Sequence, residues 1–306
     1  MKSTPNNVKT ALVLPGGGAR GAFQAGVLKA LAELLPRDRP NPFPVISGTS
    51  AGAVNSAVLA SRAHHFRSAV AELERVWGHF HCNQVYKTDS WTMLKSSAHW
   101  MSSLVLGGWL VGTPKSLLDN TPLRKLLSSN LHLPRIRDAI DNGCLEAVAV
   151  TAAGYSSARS TTFFEAGQDQ EGWERTRRLG KPVELNLDHL MASIAVPMVF
   201  PPVRIGREFF GDGAMRQATP LSPVVHLGAD RILVIGIRDE TGDKEPEAPE
   251  GPPSFGQIAG YMLDALFMDG LYSDLERITR INELLDSQPD ATLDIGDKTM
   301  RPIDTM

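Results

Sequence analysis

The chain runs to 306 residues with 42% hydrophobic and 21% charged side chains, enough apolar surface for a large core and too much for a disordered chain. Its formal charge of −3 gives no electrostatic case for nucleic acid, which needs a clustered basic surface. The two cysteines, Cys82 and Cys144, stand too far apart in sequence for a metal clip or a disulfide framework, which points to a reducing, cytoplasmic setting.

Taken from the start, MKSTPNNVKTALVLPGGG lacks the apolar run of a Sec-type signal peptide. Thr10 to Leu14 is a short apolar run that breaks into glycines, and Ala22 to Leu35 has apolar residues at helical spacing, so the pair predicts strand, tight turn and helix. Pro36, Pro40, Pro42 and Pro44 forbid regular structure until Val45-Ile46-Ser47, a second short strand. Gly48 to Gly52 then turns the chain into a second helix, Ala51 to about Ser61. Two such units in succession predict an α/β fold with a largely parallel sheet.

His64 to Phe80 reads as a further helix. The greasiest region, Trp91 to Gly112, is interrupted by Lys95, His99, Gly107 and Gly108 and falls short of the roughly 20 apolar residues of a membrane span. Three readings of Trp91–Val111 stand side by side: a buried helix or cap over the core, a mobile flap over the site and a peripheral membrane contact. Gly107-Gly108 and Gly112 would lend a flap its flexibility, and tryptophan favours a boundary that is apolar on one side and wet on the other. Thr121-Pro122 opens a helix that runs to about Asn130, with proline in the first turn. Leu145 to Ala152 and Arg231 to Ile237 are near-continuous apolar runs that suit strands covered on both faces.

Glu240 to Pro253 is acidic and proline-rich, hence a solvated loop. Gln257 to Leu285 reads as an amphipathic helix with a break expected at Gly270. Ala291 to Met306 alternates like a strand and stops abruptly, as a trimmed chain would. The division expected is an α/β unit over 8–238, a loop over 239–256 and a helical extension over 257–306.

Three segments bear chemistry. Gly48-Thr49-Ser50-Ala51-Gly52 has the G-x-S-x-G form of a nucleophile elbow, in which small neighbours let a strand turn sharply into a helix and expose the serine hydroxyl. The helix N-terminus behind it favours developing negative charge. Gly16 to Gly21 matches G-x-G-x-x-G, the dinucleotide fingerprint, but that reading needs an acidic residue about 20 positions on to bind ribose. Here the proline-rich Arg37 to Pro44 stands in its place, so amide donors for an oxyanion suit these glycines better. Arg20 supports the loop, meets a phosphate or sits solvated at a helix start. Phe209-Phe210-Gly211-Asp212-Gly213-Ala214 sets one acid between glycines at the end of a short apolar strand, where Asp212 would project from a tight turn; taken alone, the pattern favours an ordinary Asp-Gly hairpin turn. A serine nucleophile needs a base, and none of the eight histidines, His64, His65, His79, His81, His99, His132, His189 and His226, sits in a recognisable catalytic setting.

Together and in this order, the three segments resemble the patatin-like phospholipase family, which carries G-G-G-x-R-G, G-x-S-x-G and D-G-A or D-G-G. Ala192-Ser193 and Pro197 to Pro202 resemble the block that precedes the family's aspartate, and the resemblance covers about Thr10 to Ile237. It implies a three-layer α/β/α fold with a largely parallel central sheet. It also implies hydrolysis of a lipid acyl ester, with no metal or cofactor, by a Ser–Asp dyad of Ser50 and Asp212. Gly16, Gly17 and Gly18 would form the oxyanion hole, supported by Arg20, Gly21, Gly48, Gly52, Gly213 and Ala214. Two other readings stay open: a non-catalytic lipid-binding protein on this fold, and a Rossmann-type oxidoreductase.

Overall fold

The computed structural model describes residues 8–87, 116–217, 220–237, 251–287, 294–295, 298–299 and 302–306. The first apolar run is strand β1 (Thr10–Leu14), followed by a 3-10 turn (Gly18–Arg20) and helix α1 (Gly21–Leu34). Ala25, Leu28 and Ala32 form the buried stripe of α1, at the spacing that keeps one helical face toward the core. The helix stops where Pro36 drives Leu35 into extended backbone, at φ −88° and ψ 155°, because the ring of a proline disfavours helical geometry in the residue before it. Strand β2 (Val45–Thr49) and helix α2 (Ala51–Ser61) repeat the unit. Nine of the 11 residues of α2 are buried, and its small alanines, glycine and serines let it lie between the sheet and α3 (Phe66–Gly78).

The chain continues through α4 (Cys82–Val85), α5 (Thr121–Asn130) and α6 (Arg135–Asp141) to the central strand β3 (Ala147–Gly154). Next come β4 (Ser160–Ala166), β5 (Trp173–Arg175), β6 (Arg178–Pro182), α7 (Leu187–Ser193), β7 (Val203–Ile205), β8 (Glu208–Asp212), α8 (Ser222–His226) and β9 (Arg231–Val234). Helix α9 (Phe255–Ser287), a small ladder of β10 (Asp294–Ile295) and β11 (Lys298–Thr299), and β12 (Asp304–Thr305) complete the described elements. The main sheet runs β12-β9-β1-β2-β3-β4-β6-β5. Its half from β12 to β3 is parallel throughout, and β4, antiparallel to β3, begins a mixed extension in which β6 runs parallel to β4 and β5 antiparallel to β6.

Alternation along the central strands sends Leu12, Leu14, Ile46, Val148 and Val150 to one face, under α1, α2, α3, α6 and α7. Ala11, Val13, Val45, Ala147 and Ala149 go to the other, against Leu221 and Val224 around α8 and Leu271, Leu275 and Ile278 of α9. The result is the three-layer α/β/α arrangement, with both faces of the parallel strands covered. No helix among the described residues is long and apolar enough to cross a membrane.

Three expectations change. Helix α9 passes unbroken through Gly270, since one glycine costs a helix only about 1 kcal/mol and Leu271, just beyond it, is buried against the sheet. Asp212 does not sit in a hairpin turn: β8 ends there and runs into a 3-10 turn (Gly213–Met215). The last apolar strand stops at Val234, with Ile235 adding one bond from its amide to the Val13 carbonyl (3.1 Å). The Trp91–Val111 segment lies outside the described residues.

Candidate active site

The edge of β3 brings the site together. Its lower part pairs in parallel with β2, so that Thr49 lies opposite Thr151. Beyond the end of β2 the same edge takes up β8 in the antiparallel sense, with Asp212 opposite Ala152. Adjacent positions on one strand thus set the residue before Ser50 and the last residue of β8 side by side, although 162 residues separate Ser50 from Asp212.

Ser50 stands between β2 and α2 at φ 54° and ψ −125°, a region that side-chain-bearing residues rarely occupy and that costs on the order of 1–3 kcal/mol. The flanking glycines are required by close approach. A Cβ on Gly48 would lie 2.3 Å from the Gly52 carbonyl oxygen, and one on Gly52 would lie 1.9 Å from that of Leu14. The elbow is therefore packed directly onto the stem of the first glycine loop. In the same way a Cβ on Gly213 would lie 2.2 Å from the Thr151 carbonyl oxygen, which is why glycine follows Asp212.

The Ser50 hydroxyl donates to Asp212 Oδ2 at 2.6 Å, and the Ala214 amide donates to Asp212 Oδ1 at 3.0 Å. Asp212 is 1% exposed. Burial pushes its carboxyl up to about 7, against the opposing pull of the bonds from Ser50 and Ala214. A carboxylate at that value is matched to accepting a proton near neutral pH. Tyr155 covers Gly211, where its hydroxyl would lie 2.6 Å from an added Cβ. Burial raises its phenol above the usual range, and the Asp212 charge adds to the effect.

In the first glycine loop Gly16 and Gly17 are buried, whereas Gly18, Ala19 and Arg20 are exposed. The amides of Gly16 and Gly17 donate to no group among the described residues, an uncommon state for buried backbone. Gly18 has φ +57° with open space where a Cβ would stand, and a Cβ on Gly17 would meet the Ile237 side chain.

Two supports escape the sequence motifs. The Ser50 amide donates to Ser193 Oγ (2.9 Å), whose hydroxyl donates to the Thr151 carbonyl (2.7 Å). The Gln217 side chain accepts from the Thr49 hydroxyl and donates to Thr151 Oγ1 (3.3 Å). Both converge on Thr151, so the strand that joins Ser50 to Asp212 also anchors their surroundings. Ser193 lies in the block already noted for its resemblance, but nothing local reveals its partner. The described histidines go elsewhere. His189 closes the N-terminus of α7 through the Asn186 amide (3.0 Å), with burial lowering it to about 4. His64 meets Cys144 Sγ at 3.2 Å, His79 Nδ1 donates to the Arg75 carbonyl (2.9 Å) at the end of α3, and His226 stacks on Trp173. The partners of Ser50 and Asp212 include no histidine among the described residues.

Fold and site together define a three-layer α/β protein with a serine elbow facing a buried carboxylate. A family profile described as patatin-like phospholipase matches residues 12–225, and the chain belongs to that family. It is 29% identical over 212 residues to the cGAMP-activated phospholipase of Pseudomonas aeruginosa, covering 68% of this chain and 53% of that protein. An uncharacterised NTE-family protein of Mycobacterium bovis is 24% identical over 246 residues, covering 78% of this chain and 52% of that one. The chain thus spans about half the length of these curated relatives. Triacylglycerol lipase 4 of Saccharomyces cerevisiae is 47% identical over 68 residues, 21% of this chain and 6% of that protein. Among solved structures, VipD of Legionella pneumophila aligns with a TM-score of 0.42 at 15% identity, covering 98% of this chain and 58% of that one.

Proposed function

We propose that this chain is a serine lipid acyl hydrolase, cleaving acyl esters of phospholipids or related lipids through a dyad of Ser50 and Asp212. The observation that carries the reading is the 2.6 Å hydrogen bond from the Ser50 hydroxyl to a buried carboxylate whose proton affinity lies near neutrality. Ser50 Oγ attacks the ester carbonyl carbon as its proton passes to Asp212 Oδ2. The amides of Gly16, Gly17 and Gly18 hold the negative oxygen of the tetrahedral intermediate, with the N-terminus of α2 behind the nucleophile. Asp212 then returns the proton to the leaving alcohol, leaving an acyl-serine. A water gives its proton to Asp212, attacks that ester and releases the fatty acid, and Ser50 regains its proton. The P. aeruginosa relative, a phospholipase by its name, supports a phospholipid as the first substrate to assay.

The decisive experiment treats the protein with a labelled fluorophosphonate and maps the adduct by peptide mass. One label per chain on Ser50, absent in Ser50→Ala, is expected. An unlabelled protein that still binds lipid vesicles would favour a non-catalytic lipid binder, and tight binding of a nicotinamide nucleotide would restore the oxidoreductase.

A further inference from the structure

Behind the first glycine loop lies a buried amide pair that the dyad chemistry does not use. Gln24, on α1, is wholly buried, and its Nε2 donates to the carbonyls of Pro15 (2.9 Å) and Ile235 (3.3 Å). Asn55, on α2 and also wholly buried, donates through Nδ2 to the Gly21 carbonyl (3.1 Å) and to Gln24 Oε1 (2.9 Å). Its Oδ1 accepts from Trp77 Nε1 at 2.9 Å. Both protons of each amide are used and both oxygens accept. Turning the Gln24 amide over would set its oxygen against two carbonyls, so the network has one orientation.

Two of the three backbone carbonyls so engaged are those of Pro15, just before the glycine loop, and Gly21, its last residue; the third, of Ile235, lies just past the end of β9. Between Pro15 and Gly21 the loop is a single tight turn, in which the Arg20 amide bonds to the Gly17 carbonyl at 3.1 Å and the Gly21 amide reaches back to the Gly18 carbonyl. Glycine-rich backbone also loses the most freedom on ordering. Apolar contacts through Ala25, Leu28, Ala53 and Ala57 already pack α1 and α2 into the core, and a buried polar pair is a costly way to add mere cohesion. What the amides add is direction: a fixed link from both ends of the loop to the helix that starts at Ser50. Trp77 reinforces it sterically, since a Cβ on Gly21 would lie 3.0 Å from Trp77 Cζ2 and 3.1 Å from Ala51 Cβ.

We infer that Gln24 and Asn55, braced by Trp77, are positioning residues that set the distance between the nucleophile and the oxyanion-binding amides of Gly16–Gly18. This rests on the acyl-hydrolase reading. A misplacement of about 1 Å at a reacting centre costs about 10²-fold, so a loosened loop is expressed in the rate of the chemical step.

The test uses Gln24→Met and Asn55→Leu, near-isosteric and apolar, singly and combined, with turnover measured on p-nitrophenyl butyrate. Expected is a fall in kcat of about 10- to 100-fold with KM unchanged, the double variant being little worse than either single one because the two act as a unit. Affinity for an alkyl trifluoromethyl ketone, which forms a tetrahedral adduct on serine, falls with kcat. The pH profile keeps its wild-type midpoint, because Asp212 is outside the network. Should these variants fail to fold, Trp77→Phe decides: it removes the bond to Asn55 Oδ1 and leaves both loop clamps, and a fall of a few-fold in kcat at constant KM is expected. Wild-type kcat in folded variants, or a loss of activity that merely follows thermal stability, overturns the inference. Wild-type protein that neither turns over the ester nor labels at Ser50 overturns the acyl-hydrolase reading instead.

Discussion

Replacing Asp212 by asparagine, across a range of pH, probes the reasoning about the site most directly. Burial moves the carboxyl from 3.8 to about 7, a displacement equivalent to about 4 kcal/mol between its charged and neutral forms. Only the ionised form accepts the Ser50 proton, so kcat/KM of the native protein should rise about tenfold per pH unit below 7 and level off above it. At pH 6 about 9% of molecules carry the base ready, whereas an aspartate near its ordinary value would be ready throughout. Stability moves the other way. Between 3.8 and about 7 the folded protein keeps a proton that the unfolded chain has released, so this carboxyl makes folding progressively less favourable as pH rises through that window and adds nothing further above it. Asp212→Asn lacks that dependence. Its stability relative to the native protein should therefore increase by about 3 kcal/mol between pH 5 and 8, levelling off above 7, out of a total of about 4 kcal/mol that accumulates from below pH 3.8, while turnover is lost at every pH. Taking the difference matters because Glu165 and Asp274 are also raised by burial and contribute to the native curve. Urea unfolding of both proteins at pH 5, 6, 7 and 8, beside kcat/KM on a soluble ester, makes the measurement. A native rate profile flat from pH 5 to 8, with parallel stability curves, would refute the buried-base argument.

Ser50→Gly and Ser50→Ala should both abolish turnover and both lose the bond to Asp212, with the glycine variant the more stable of the two by about 1 kcal/mol, because only glycine occupies positive φ without strain; thermal unfolding of the two variants tests it. Gly52→Ala should fail to fold or unfold many degrees earlier, since its Cβ would lie 1.9 Å from the Leu14 carbonyl oxygen. Gly18→Ala meets no clash and should fold with a loss of about 1 kcal/mol; denaturant titration separates the two. A bulky residue at Gly17 or Gly18 should lower kcat about 10²- to 10³-fold if the loop amides hold the oxyanion, read on p-nitrophenyl butyrate. If Trp91–Val111 meets lipid, vesicles should shift tryptophan emission to the blue, and replacing Leu104, Leu106 and Leu110 by serine should weaken bilayer hydrolysis while sparing a soluble ester. Equal loss on both substrates with lowered thermal stability would assign the segment to the core.

The order of residues along the chain carries as much of this protein as local physics can express. An apolar run, a glycine break and an apolar stripe at helical spacing suffice for β1 with α1 and β2 with α2, because strand and helix periodicity and proline stops act over a few residues. The same holds for α5, opened by Thr121-Pro122 and ended at Asn130. Ser50 and Asp212 were legible as candidates through their glycine settings, although the local pattern could not separate a projecting carboxylate from a plain hairpin turn. That the two meet is a property of the folded sheet, since it follows from β3 taking β2 and β8 along one edge. Gln217, Gln24, Asn55 and Trp77 left no sequence signal, and Ser193 only the resemblance of its block, for the same reason: each partner is set by strand order and helix packing, and a buried serine or amide has no characteristic spacing. Even the glycines changed meaning. Gly48, Gly52 and Gly213 read as flexible turn residues, but it is the backbone packed within 2.5 Å of their missing Cβ atoms that excludes any larger side chain, and that contact exists only once the chain has folded.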